Sequence, residues 1–465
     1  MTNDANADAL HAAGLSQADV ARWHAAAQPT TADYAGDCHH YSAFWARTND
    51  LLERLPAKPK RNAAETAAAH AILTAARDHR ERFLAAHVDM VYDRLTNNRT
   101  RFLRVEQLVT DAAKLVPGLT PTQSQLAKEG DLRQHDKEGI ETDQGIFLSH
   151  VLAGEQAGTH LCHAMLLPRP ESIGLLAKLA TDGSLDLGAT SLQRQGKAIV
   201  VTAGNPRFLN AEDEQTLDVM EVSVDLATLD SHSDIAVLRG GKLDHPKYRG
   251  RHVFGSGINL THLYRGKISY LWFLRRDLGF VHKMLRGVAR PESVPDDTHG
   301  HGIEKPWIAA VDGFAIGGHC QTLLTVDYVL AADDAFLTLP ARKEGIIPGF
   351  SNLRLPRFTG DRLARQLIQY ERKLVCDSPE GRLICDEIAS ASRMDEAITR
   401  VVDGLTNAGA VSAVGNRRAF RIAQEPLDLF RRYAAAYARD QAYCVFSPAL
   451  IANLERNWDA QNRKA

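Results

Sequence analysis

Cysteine is scarce in this chain: six residues in 465, at positions 38, 162, 320, 376, 385 and 444, none spaced as a CxxC pair. That excludes a zinc-ribbon signature and leaves no disulfide framework to expect. Net charge is nearly absent too, with 55 Lys and Arg against 57 Asp and Glu, a formal balance of −2. So small a balance offers no electrostatic case for nucleic acid as a partner. No apolar run approaches the roughly 18 residues of a membrane span. The polar, Ala-rich stretch from Met1 to Val20 lacks the basic start and apolar core of a secretory signal. The expectation is a cytoplasmic protein with no membrane partner. The sequence also lacks GxGxxG after a strand, a GxxxxGK[ST] phosphate loop, HExxH and an EF-hand loop. His299-Gly300-His301 and His160-Leu161-Cys162-His163 are isolated from any such motif, so no metal is expected.

What remains is an ordinary globular composition, 44% hydrophobic and 24% charged, over a length that exceeds one typical domain. Residues 1–185 read as helical. Asn62 to Leu95 is rich in Ala, Glu and Arg, and Leu84, Val88, Val91 and Leu95 recur at helical spacing. Pro56 and Pro59 precede that stretch, and Pro117 and Pro121 break the chain after it. From 186 to 400 strands and helices alternate. Lys197–Val201, Ile235–Leu238, Trp307–Val311 and Tyr328–Ala331 are short apolar runs, with amphipathic stretches Ala211–Leu229 and Thr261–Leu285 between them. This alternation predicts an α/β layered core. Residues 401–465 return to helix, with Phe430, Tyr433 and Tyr437 on one face and Pro426 at its start. That face packs on its own core or forms an oligomer contact.

Two glycine-rich turns stand out, each after an expected strand and before an expected helix. One is Phe254 to Leu260 (FGSGINL) and the other Val311 to Gln321 (VDGFAIGGHCQ). Glycine permits a sharp turn and close ligand approach. A helix start presents free N–H groups suited to a developing negative charge. Two such turns facing one another would form a two-donor oxyanion hole.

Together the motifs resemble the crotonase (enoyl-CoA hydratase/isomerase) superfamily. FGSGINL is similar to its FCAGADL-type motif, and KPWIAAVDGFAIGGHCQ (305–321) to its KPVIAAVNGYALGGGCE-type motif. DYVLA (327–331), GIIPG (345–349) and NPRFLN (205–210) fall in the family's order. The resemblance implies a ββα spiral core, flanked here by N-terminal and C-terminal helices. It also implies an acyl-CoA thioester whose carbonyl meets the backbone N–H groups of Ile258 and Gly318.

The departures from that family matter as much. Its two general-base carboxylates are replaced by Gln321 and Ala341, and Glu344 lies nearby at a different offset, expected as a solvated loop charge. Water addition to an enoyl-CoA is therefore disfavoured. The long helical N-terminus, RHVFGSGINL (251–260) and PARKEGIIPGFSNLRLPR (340–357) resemble the arylacetyl-CoA dioxygenase branch of the superfamily. That likeness implies oxygenation of a (3,5-dihydroxyphenyl)acetyl-CoA by O2 without metal, flavin or other cofactor, with thioester cleavage. It places ring-hydroxyl anchors at Glu212 and Arg276, with Arg275 a rival, and Gln321 against the peroxide or thioester. Leu260, Ala341 and Ile346 suit a small apolar pocket for O2. Glu212 alternatively reads as a first-turn helix carboxylate, and Arg276 as a surface arginine. By analogy the chain would be a homo-oligomer, a trimer or hexamer. A crotonase-fold hydrolase or isomerase on another aromatic acyl-CoA, or a non-catalytic acyl-CoA-binding protein, are the alternatives.

Overall fold

Helix-forming sequence dominates the first third of the chain, and the computed structural model, which describes residues 3–463 except 28, 29, 32, 297, 300 and 301, shows why. Contacts divide the chain into two units: residues 1–161 with 434–446, and residues 162–433 with 447–465.

The first unit is helical. Helix α1 spans Tyr34–Glu53 and α2 spans Ala63–Leu95. A capping box starts α2: the Asn62 side chain accepts from Glu65 N, and the Glu65 carboxylate accepts from Asn62 N. The face α2 buries is wider than the expected stripe. Leu84 and Val91 are buried, but Val88 and Leu95 are only half-buried, and Phe83, His87 and Tyr92 carry the rest. Trp45 and Tyr41 of α1 meet Phe83 at ring distances of 5.8 and 5.4 Å, and Phe44 stacks on His79 at 4.1 Å. His87 Nε2 bonds the buried Asp37 carboxylate at 2.6 Å, so α1 and α2 are pinned by a polar contact inside an aromatic core.

The second unit is built on a mixed sheet. Strands β1 (Ser184–Asp186), β2 (Thr190–Gln195) and β3 (Ala198–Ala203) form an antiparallel meander. β4 (Ile235–Gly240), β6 (Trp307–Ile316), β7 (Tyr328–Ala332) and β10 (Glu387–Ala389) continue it in parallel, in the order β1-β2-β3-β4-β6-β7-β10. The four expected apolar runs fall on β3, β4, β6 and β7. Ten-residue β6 does double duty. Its first half pairs with β4 and β7, and its outer half pairs with β5 (Val253–Gly255) and β8 (Phe336–Thr338). β9 (Leu374–Val375) closes that second group antiparallel to β8.

Helix α3 (Glu214–Leu229) links β3 to β4, and its buried face includes Leu217, Val224 and Leu226. The stretch expected as one helix over 261–285 is three: α4 (Leu260–Tyr264), α5 (Tyr270–Leu278) and α6 (Phe280–Arg286). The Ser269 side chain caps α5, and at Gly279 a Cβ would collide with the Arg275 carbonyl, so the chain breaks there. Beyond β6 come α7 (Gly318–Leu323), α8 (Ala341–Glu344), α9 (Leu427–Val445) and α10 (Pro448–Trp458). Phe430 of α9 is fully buried, stacked on His282 at 4.0 Å and on Phe350 at 4.5 Å, so the start of the aromatic face serves the core. Among the described residues no helix is long and apolar enough to cross a membrane.

Candidate active site

Both glycine turns leave the same edge of the second strand group. β5 runs into the first turn and β6 into the second, and the two strands are parallel neighbours with Gly255 opposite Ala315. Gly257 has φ +83°, and a Cβ there would lie 2.8 Å from the Ile316 carbonyl oxygen and 3.4 Å from Gly318 N. The two turns therefore touch, and only glycine permits that approach.

The main chain of Glu212 fixes the first turn. Its N–H donates to Gly257 O at 2.8 Å, and its carbonyl accepts from Asn259 N at 2.8 Å. These are the two bonds of a parallel bridge centred on Ile258, so the Ile258 N–H is directed to the opposite side. Gly318 is the first residue of α7, and its N–H is one of the unpaired donors of a helix start. Among the described residues neither amide donates to another protein group. Glu212 thus precedes α3 as a bridge residue and is not a first-turn helix carboxylate; Asp213 is the cap of α3.

Arg276 knits the second turn to the first. It is 2% exposed, so it is not a surface arginine. Its Nε and Nη2 donate to the two Glu212 oxygens at 2.9 and 3.1 Å. Nη1 donates to Asp277 at 2.8 Å and to Gln321 Oε1 at 3.0 Å, and Nη2 also reaches the Gly318 carbonyl at 2.7 Å. All five N–H groups of the guanidinium are engaged. Arg275 points elsewhere, to Asp218 and Glu214. Burial is the largest influence on Glu212 and opposes its ionisation, but the Arg276 charge, the nearby His319 and the hydrogen bond from Arg276 together outweigh it and hold the carboxyl below its ordinary value. Burial likewise opposes the Arg276 charge, and Glu212 and Asp277 more than restore it. Gln321, its oxygen committed to Arg276, keeps its NH2 group as a donor.

Glu212 also lines a cleft together with Met220, Trp272, Phe280, His319 and Thr322. Ile258, Gly318, Gln321 and Arg276 adjoin that wall through the bonds above and are not part of its lining. The expected oxygen-pocket residues are divided between elements. Ala341 opens α8, and its carbonyl accepts from Ile346 N at 3.0 Å, so those two are adjacent. Leu260 opens α4; α4 and α8 share α10 as packing partner. Glu344 corrects the sequence reading. It is not a solvated loop charge but is buried, and burial, with Glu371 adding repulsion, pushes its carboxyl up to about 7.

Three residues not anticipated complete the site. Asp213 accepts from Asn205 and Asn259 side chains, each at 3.1 Å, and faces His262 Nδ1 at 3.1 Å, tying NPRFLN to the first turn. Asn210 spans the same region, donating to the carbonyls of Gly241 and Val253 at 2.8 Å each. His319 accepts from Gly257 N at 3.0 Å through Nδ1. Its one visible signal is that a histidine stands where the resembling motif carries a third glycine. No cluster of three or more His, Cys, Asp or Glu suited to a metal occurs among the described residues, and Gly300 and His301 of the expected HGH triplet lie outside them.

The profile of the enoyl-CoA hydratase/isomerase family matches residues 289–434. The (3,5-dihydroxyphenyl)acetyl-CoA 1,2-dioxygenase of Amycolatopsis orientalis is 46% identical over 406 residues, spanning 87% of this chain and 92% of that protein. The chain belongs to that dioxygenase's family, within the crotonase superfamily. A short-chain-enoyl-CoA hydratase of Clostridium acetobutylicum is 25% identical over half of this chain and 82% of its own length. An enoyl-CoA hydratase structure from Mycobacterium avium subsp. paratuberculosis superposes at TM-score 0.46 and 18% identity, spanning 58% of this chain and 98% of that one. Against the crotonase motifs the long likeness to the dioxygenase is distinctive, because it extends well outside the 289–434 segment that the family profile matches.

Proposed function

We propose that this crotonase-family chain is a cofactor-independent dioxygenase. It converts (3,5-dihydroxyphenyl)acetyl-CoA and O2 to 3,5-dihydroxyphenylglyoxylate and CoA, in the supply of the dihydroxyphenylglycine unit of glycopeptide antibiotics. The relative from Amycolatopsis orientalis, at 46% identity, supports the substrate. The observation that carries the chemistry is the pair of uncommitted amides, Ile258 and Gly318, in touching turns, with glutamine at 321 and, on the separate helix α8, alanine at 341 where the resembling family has proton-shuttling carboxylates.

The Cα–H of an arylacetyl thioester is flanked by carbonyl and ring, so its removal gives a delocalised enolate. Two preorganised N–H donors lower the energy of that oxyanion, each worth roughly 10²–10³ in rate. The enolate transfers one electron to O2, and the radical pair recombines as a Cα peroxide. The terminal peroxide oxygen attacks the thioester carbonyl and CoA leaves as thiolate. Cleavage of the O–O bond with loss of the second Cα proton gives the α-keto acid. Both oxygen atoms end in the product, and the electrons come from the substrate.

The chain's residues divide this work. Ile258 and Gly318 hold the oxyanion. Gln321 donates its NH2 to the thioester or peroxide without protonating it. Glu212, exposed to the cleft, accepts from a ring hydroxyl while Arg276 holds its carboxylate in place. Leu260, Ala341 and Ile346 keep the oxygen path apolar. The assembly is a trimer or hexamer in the cytoplasm.

The test is turnover of (3,5-dihydroxyphenyl)acetyl-CoA under ¹⁸O2 after exhaustive chelation, followed by mass analysis of the acid. Two labelled atoms in the glyoxylate are expected, at an undiminished rate. One labelled atom, simple hydrolysis to the arylacetate, or activity that returns only with added metal would overturn the proposal.

A further inference from the structure

His319 has no counterpart in the chemistry above, yet it sits between the two turns. Its ring lies across Gly255, where φ is +155° and a Cβ would clash with the imidazole at 2.3 Å from Nε2. Phe254 meets it edge-on at 5.8 Å, and the residue lines the cleft. Nδ1 accepts the Gly257 N–H at 3.0 Å. Since the amide can only donate, Nδ1 carries no proton, and a neutral ring then bears its proton on Nε2. Burial favours the neutral ring; Glu212 opposes and Arg276 assists, and the balance leaves it below its ordinary pKa. An Nε2–H imidazole held this way is not a base toward the cleft.

The first turn is thereby held on both flanks of Ile258. Glu212 takes Gly257 O and Asn259 N, and His319 takes Gly257 N. The Gly257–Ile258 peptide has little freedom left to rotate. We propose that His319 is a positioning residue of the oxyanion hole: through Nδ1 it holds the Ser256–Gly257 peptide while Glu212 holds the Gly257–Ile258 peptide, so the two dihedrals of Gly257 between them are fixed, and with them the direction in which the Ile258 N–H is offered to the thioester oxygen. The histidine follows Gly318 directly, so one residue couples the orientation of one donor to the chain position of the other. The inference rests on reading residues 258 and 318 as the oxyanion donors.

Three variants separate this role from others. The oxygen of asparagine takes the place of Nδ1, whereas the amide of glutamine reaches the place of Nε2. The readouts are kcat and KM for oxygen consumption with (3,5-dihydroxyphenyl)acetyl-CoA, and hydrogen–deuterium exchange of the 254–260 segment without substrate. His319→Ala and His319→Gln should lose about 10- to 100-fold in kcat with KM within roughly threefold, a share of what one oxyanion donor is worth. His319→Asn should recover most of kcat, and exchange of 254–260 should be fast in Ala and Gln but near wild type in Asn. Recovery by Gln and not by Asn would overturn the proposal in favour of an Nε2–H bond to substrate. Wild-type behaviour in all three, or equal loss in all three with unchanged exchange, would also overturn it. If His319→Ala does not fold, the Asn and Gln pair decides. A wild-type protein that consumes no oxygen sinks the dioxygenase reading instead, and the exchange comparison still judges His319.

Discussion

Arg276 and Arg275 are adjacent on one helix, about 100° apart around its axis, and both are long cations. Sequence alone leaves open which one turns inward, because the decision belongs to the partners. Glu212 arrives from one segment and Gln321 and the Gly318 carbonyl from another, and they converge on Arg276, while Asp218 and Glu214 meet Arg275. The glycines were the opposite case: a residue chosen for its missing side chain marks a close approach wherever the chain later goes. Glu344 was misread because its two charged neighbours, Arg342 and Lys343, suggest a solvated loop, whereas the glutamate ends the short helix α8, which packs on α10, and is buried. Its folded-state carboxyl stands at about 7 against 4.5 ordinarily. Below pH 4.5 both folded and unfolded chains hold the proton. Between 4.5 and about 7 only the folded chain keeps it, so stability falls as pH rises through that window and the loss is complete above it. Glu344→Gln should therefore gain nothing at pH 4.5 and should stabilise at pH 8 by up to about 3 kcal/mol. Urea midpoints of the variant and wild type at the two pH values check this; a constant difference would contradict it.

At the scale of elements, the strands legible in sequence were those with four or more apolar residues in a row: β3, β4, β6 and β7. β1, β5 and β8 have three residues each, too few to display a period; β1 forms on its neighbour β2, and β5 and β8 form on β6, farther along the chain. The 261–285 stretch kept a helical pattern through its breaks, because Gly266 and Gly279 interrupt the backbone without interrupting the amphipathic face. Asp213 shows how an element's start can serve the site. It caps α3 at Gln215 N and also holds Asn205, Asn259 and His262. Loss of the cap costs about 1 kcal/mol, and loss of the Asn259 contact loosens the residue next to Ile258. Asp213→Ala should lower the unfolding free energy by that amount, read from urea denaturation, and reduce kcat/KM about tenfold, mostly in kcat. Reduced stability with full kcat would confine Asp213 to capping.

For the whole molecule, the family motifs identify the superfamily from a span of about 150 residues, while the long relative covers 87% of the chain, including most of the helical first unit. Nothing in the periodicity of that unit points to a reaction; its aromatic core explains its folding only. Oxygenation by this route requires the touching turns to generate an enolate before oxygen arrives. The direct measurement is deuterium uptake at Cα of (3,5-dihydroxyphenyl)acetyl-CoA in D2O under strict anaerobiosis. Wild-type protein should exchange the Cα protons at a rate no slower than aerobic turnover, and Gly318→Ala, whose added methyl group would fall on the Glu212 carboxylate, should lose that exchange by a factor of 10² or more. Rapid aerobic turnover with no anaerobic exchange, or exchange undiminished in Gly318→Ala, would contradict it.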